Sequence, residues 1–70
     1  MMKFNYSKLL GRMREYRYTQ AMLAGEIGIN ESTLNTKLKG KAYFTAKEID
    51  KMCEILNIPN AEIGIYFFKA

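Results

Sequence analysis

Tyr18-Thr19-Gln20-Ala21-Met22-Leu23-Ala24-Gly25-Glu26-Ile27-Gly28-Ile29-Asn30-Glu31-Ser32-Thr33-Leu34 is the stretch that decides the fold. Thr19 is a good helix-capping type, which leaves Gln20 in the first turn of the helix it opens. Leu23, Ala24 and Ile27 share the inward face of that helix, and Ala24 is small enough for another helix to approach closely. Gly28 stops it, because the residue at a helix end often takes a positive φ that glycine accepts without a Cβ penalty. Asn30 caps the next helix, whose buried pair is Leu34 and Leu38, four residues apart. The result is two short helices joined by a tight turn. Gly25 runs against this pattern, costing roughly 1 kcal/mol relative to alanine inside a helix.

Downstream, Lys37-Leu38-Lys39-Gly40-Lys41 ends the second of these helices. Lys37 and Lys39 suit the negative end of the helix dipole, and Gly40 supplies the stop. Thr45-Ala46-Lys47-Glu48 matches a capping box, with Phe44 and Ile49 placed as a hydrophobic staple. Ile49, Met52, Cys53 and Leu56 follow at helical spacing until Asn57-Ile58-Pro59 breaks it. Asn60 opens a short fifth helix through Ile63, and the apolar tail Gly64-Ile65-Tyr66-Phe67-Phe68 fits a helix end or a strand. Upstream, Asn5 caps a first helix with Tyr6, Leu9, Leu10, Met13 and Tyr16 along one stripe. Lys8, Arg12 and Arg14 lie off the stripe's centre. The expectation is an all-α, compact four- to five-helix fold occupying residues 1–70 as a single domain, since 70 residues leave no room for a second core.

Composition narrows the function. The net charge is +4, and it is uneven. Residues 1–41 hold eight Lys/Arg against three Glu (+5), while residues 42–70 hold three Lys against four acids (−1). The basic half carries the paired helices, so a polyanionic partner is expected. There is no histidine, and Cys53 is the only cysteine. An intramolecular disulfide, a Cys/His zinc site and a histidine-based triad are therefore excluded. No run is apolar enough to span a bilayer, and Met1-Met2-Lys3-Phe4-Asn5 lacks a signal-peptide core. The expectation is a cytoplasmic protein that binds no cofactor, metal or membrane. No nucleophile–base pair or phosphate-cradling glycine loop points to an enzyme.

Residues 18–58 resemble the lambda-repressor-like helix-turn-helix family, the Cro/CI type of phage and bacterial regulators. The matched positions are Thr19-Gln20, Leu23-Ala24, Gly28-Ile29, Ser32-Thr33-Leu34, Leu38-Lys39-Gly40-Lys41 and Phe44-Thr45-Ala46-Lys47-Glu48-Ile49. The string from Lys37 to Thr45 is similar to a subgroup from phages of Gram-positive bacteria. Two positions depart from the pattern: Gly25, and Lys37 where many members carry an apolar residue. Leu38 fills the inward position instead, which implies a small rotation of the second helix of the pair.

At about 100° per residue, Leu34 and Leu38 point one way while Ser32, Thr36 and Lys39 lie opposite, with Asn35 at the flank. Asparagine pairs bidentately with adenine, hydroxyls donate and accept, and a carboxylate accepts from cytosine N4. The resemblance implies base reading by Glu31, Ser32, Asn35 and Thr36. It implies that Gln20 contacts phosphate and braces a base-reading side chain. Arg17, Thr19, Lys37, Lys39, Lys41 and Tyr43 are candidate backbone contacts, setting affinity without specifying sequence. For each lysine alone, the plain alternative is a solvated charge. The implied function is a sequence-specific transcriptional regulator of the Cro type. It would bind double-stranded operator half-sites as a homodimer, at least on DNA, and the chain's shortness favours that type over CI.

Tyr6, Tyr16, Met13 and Met52 fit core filling better than base stacking, and Cys53 fits a packed thiol. Tyr66, Phe67 and Phe68 either close the core under the first helix or form a dimer contact. The same tail would serve an alternative function, an antitoxin or anti-repressor type of protein-interaction module. A membrane-active amphipathic helix over residues 6–17 is a third reading, and its stripe already has an explanation as core.

Overall fold

The computed structural model describes residues 4–68, and these form an all-helical fold. Its elements are α1 (Ser7–Glu15), α2 (Gln20–Ile27), α3 (Glu31–Leu38), α4 (Ala46–Leu56), a 3₁₀ turn (Asn60–Glu62) and α5 (Ile63–Phe67). The apolar tail is thus helical.

Side chains fix the starts of the helices. Thr19 Oγ1 accepts from Met22 N–H, and Asn30 Oδ1 accepts from Thr33 N–H. The capping box at α4 is complete: Glu48 N–H donates to Thr45 Oγ1, and Thr45 N–H donates to Glu48 Oε1. At α1 the cap position falls to Tyr6 rather than Asn5, yet the Asn5 side-chain Oδ1 still accepts from Ser7 N–H at 2.9 Å. Pro59, not Asn60, precedes the 3₁₀ turn.

The ends share one device. Arg17, Gly28, Gly40 and Asn57 all have positive φ, and each follows the last turn of α1 to α4 in order. After α3, Gly40 N–H donates to Lys37 O and Lys41 N–H to Thr36 O. This Schellman pairing satisfies carbonyls that the helix leaves orphaned. The same six-to-one bond runs from Tyr18 to Met13, from Ile29 to Ala24 and from Ile58 to Cys53. Four sharp stops in one short chain fold the helices back on one another.

The core draws Leu9 and Met13 from α1, Leu23, Ala24 and Ile27 from α2, and Leu34 and Leu38 from α3. Ile49, Met52 and Leu56 come from α4. Phe44, the staple residue before α4, stands edge-on to Tyr6 (5.4 Å) and to Phe67 (5.8 Å). Edge-to-face contacts of this kind add to area burial. Arg12, expected off the α1 stripe, is half-buried and donates from Nε to Leu56 O (2.8 Å) and from Nη2 to Asn57 O (2.6 Å). A cation at the α4 C-terminus suits the helix dipole.

Gly25 has no structural requirement: a Cβ there meets nothing within 4 Å, and its φ is not positive. Gly25→Ala is therefore expected to stabilise the protein by about 1 kcal/mol, raising the thermal midpoint by roughly 4–8 °C. A calorimetric melt checks this.

Candidate nucleic-acid interface

The α2–α3 pair positions the predicted site. Leu34 (fully buried) and Leu38 (8% exposed) face the core and fix the rotation of α3. Glu31, Ser32, Thr36 and Lys39 are consequently exposed, and Asn35 is half-buried at the flank. These side chains form one polar surface.

Two hydroxyl protons on that surface already have acceptors. Thr36 Oγ1 donates to Ser32 O at 3.0 Å, and Ser32 Oγ donates to Asn30 Oδ1 at 3.0 Å. What Ser32 and Thr36 offer outward is lone pairs and, for Thr36, a methyl group. Asn35 Nδ2 donates to Gln20 Oε1 at 3.1 Å. This bond joins the first turn of α2 to the middle of α3 and holds the Asn35 amide in one orientation. It leaves the Asn35 oxygen and one amide proton for another partner.

The expected phosphate-contact residues separate into groups. Arg17, Lys39 and Lys41 are exposed cations, while Thr19 uses its hydroxyl oxygen as the α2 cap. Tyr43 is exposed and its ring lies 5.5 Å from that of Phe4. Lys37 stands apart. Its Nζ sits 2.6 Å from Glu48 Oε1, with both side chains only 12% exposed. It also lies 5.9 Å from the centre of the Phe44 ring. Lys37 therefore differs from the exposed Lys39 and Lys41: an internal carboxylate takes its charge. Burial alone would raise the Glu48 carboxyl, but hydrogen bonds from Lys37 and Thr45 and the Lys37 charge hold it below its ordinary value.

The aromatic tail divides between the two expected places. Tyr66 (5% exposed) and Phe67 (1%) are core residues and are not available as contacts for a second subunit; Phe68 (55%) remains outside. Phe68 joins Phe4 and Tyr43 in an outer cluster, with its ring 6.1 Å from Phe4. Cys53 is half-buried, and burial followed by the nearby Asp50 charge pushes its thiol pKa up, which keeps it protonated. Among the described residues no helix is long and apolar enough to cross a membrane.

Sequence reasoning missed the Lys37–Glu48 pair and the Arg12 cap. Glu48 was visible as a capping residue, but nothing in the order of residues says that α3 brings a lysine to it.

No curated protein matches the chain. Among solved structures, it is similar to the solution structure of the modulator of repression (MOR) of the temperate bacteriophage TP901-1 from Lactococcus lactis. The two share 36% identity over 96% of this chain and 90% of that one, with a TM-score of 0.77. This chain therefore has the fold of a small helical phage regulator. A family model covers residues 2–70, and the chain belongs to that family, described as a protein of unknown function (DUF739).

Proposed function

We propose that the protein is a phage regulator of the lambda-repressor-like helix-turn-helix type, acting in the host cytoplasm by binding double-stranded operator DNA. α3 enters the major groove, and Glu31, Ser32, Asn35 and Thr36 meet base edges. The carrying observation is the exposed polar face of α3, held outward by Leu34 and Leu38 and steadied by the Gln20–Asn35 hydrogen bond. The free oxygen and amide proton of Asn35 match the N6 donor and N7 acceptor of adenine. The free lone pairs of Ser32 and Thr36 accept from cytosine N4 or adenine N6, and the Thr36 methyl suits the thymine methyl. Arg17, Lys39 and Lys41 neutralise phosphates. The molecule is 28 Å in its longest extent. Two copies therefore fit side by side with recognition helices one turn, about 34 Å, apart, which supports a homodimer on DNA.

Asn35→Ala and Thr36→Ala are expected to lose about 1–3 kcal/mol of discrimination between operator and random duplex. Lys39→Ala and Lys41→Ala are expected to weaken both duplexes alike. Selection of bound duplexes from a random pool, followed by titration of each variant, measures this. Equal losses on both duplexes for Asn35→Ala and Thr36→Ala would remove the reading-face assignment.

A second reading follows from the name of the similar phage protein, a modulator of repression. On this reading the protein acts through another protein, as an anti-repressor, and the exposed Tyr43 and Phe68 rings, backed by the half-buried Phe4 ring, are its contact surface. A salt-insensitive protein complex without DNA binding favours it.

A further inference from the structure

The triplet Lys37, Lys39 and Lys41 looks uniform in the sequence, but the structure divides it. Lys39 and Lys41 are exposed and, among the described residues, neither is in an ion pair. Lys37 is largely covered and bound to Glu48. Glu48 cannot follow an outward swing of Lys37, because the same Oε1 accepts Thr45 N–H at 2.9 Å within the α4 cap. Glu26, Lys47 and Lys51 line the groove beside it, and Lys37 alone among the described cations reaches the carboxylate. Moving the Lys37 ammonium to a phosphate would exchange one anion for another and leave a covered carboxylate without its cation, a state strongly disfavoured at low solvent exposure. An exposed lysine gives up only solvent and counterions.

Resting on the DNA reading above, we propose that Glu48 withholds Lys37 from the phosphate backbone and so limits how many phosphates the protein neutralises. Glu48 is a positioning residue in this scheme. It also ties α3 to the start of α4, which fixes the angle at which the α3 face is presented.

The test is the salt dependence of binding to a duplex selected from a random pool. Wild-type protein, Lys37→Met, Lys39→Ala, Lys41→Ala and Glu48→Gln are each titrated between about 50 and 200 mM salt. Glutamine serves at this capping-box position, so Glu48→Gln keeps the α4 start, and circular dichroism verifies the fold. Lys39→Ala and Lys41→Ala are each expected to reduce the log–log slope by about 0.9. Lys37→Met is expected to keep the wild-type slope. Glu48→Gln is expected to steepen it by about 0.9, a further loss of roughly 3.5-fold across that salt range. A reduced slope in Lys37→Met, or an unchanged slope in Glu48→Gln, overturns this proposal alone. Wild-type protein that binds no duplex at low salt overturns the DNA reading and takes this proposal with it.

Discussion

Phe67→Ala is expected to destabilise the protein by about 3–5 kcal/mol, the range for removing a buried aromatic side chain. Phe67 is 1% exposed and stands edge-on to Phe44, which in turn touches Tyr6. Removing the ring opens a cavity between the first and last helices and ends both the Phe44–Phe67 contact and the docking of α5. A helix as short as Ile63–Phe67 has no stability apart from its packing. A domain of this length has roughly 4–10 kcal/mol in total, so the variant populates unfolded chain at ordinary temperatures. Phe68→Ala, at an exposed ring, is expected to change stability by less than about 0.5 kcal/mol. Urea unfolding followed by circular dichroism compares the two. A loss under 1 kcal/mol for Phe67→Ala, below the cavity range, would mean that α5 is not part of the core.

That contrast marks where the sequence stopped being informative. Tyr66, Phe67 and Phe68 are consecutive aromatics at the end of the chain, and composition gives each the same tendency to be buried. Only the helical turn of α5 and the position of Phe44 sort them, two inward and one outward. Where a local rule carried the whole signal, the reading was close. Thr45 and Glu48 form both halves of the capping box, and Gly28 and Gly40 take positive φ at the ends of α2 and α3. Leu34 and Leu38 are buried and Thr36 is exposed, as a helical wheel requires. Arg17 and Asn57 fill the same left-handed role without being glycine, and the role of Arg17 has no local signature. Arg12 was expected off its stripe, and its acceptors lie 44 and 45 residues away in sequence. Such long-range partners depend on where α4 ends relative to α1. The base-reading assignments for α3 are of another kind: exposure is visible, but docking angle and DNA shape decide which exposed groups meet which bases.

Lys37→Ala is expected to cost about 2 kcal/mol at pH 7, between the values for an exposed pair and a fully buried one, because the contact is part-buried. The size comes less from the lost attraction than from what remains. Glu48 is only 12% exposed, and without Lys37 its charge is held by Thr45 alone. The pair also has a signature in pH. In the wild-type protein Glu48 lies below its ordinary value of 4.5. A carboxylate lowered by folding contributes stability that is fully present above the unfolded value and is lost as pH falls through the folded one. Removing Lys37 lifts the Glu48 pKa towards or above the unfolded value. The stability of Lys37→Ala therefore falls less steeply on acidification below about pH 5, and the two proteins converge in acid. Lys37→Met combined with Glu48→Gln is expected to recover most of the loss, because uncharged side chains of similar volume leave no covered charge without a partner. Urea unfolding of the three proteins from pH 7 to pH 3 measures all of this. Parallel stability curves, with no convergence in acid, would mean that the Lys37–Glu48 contact does not hold α3 against α4 in solution.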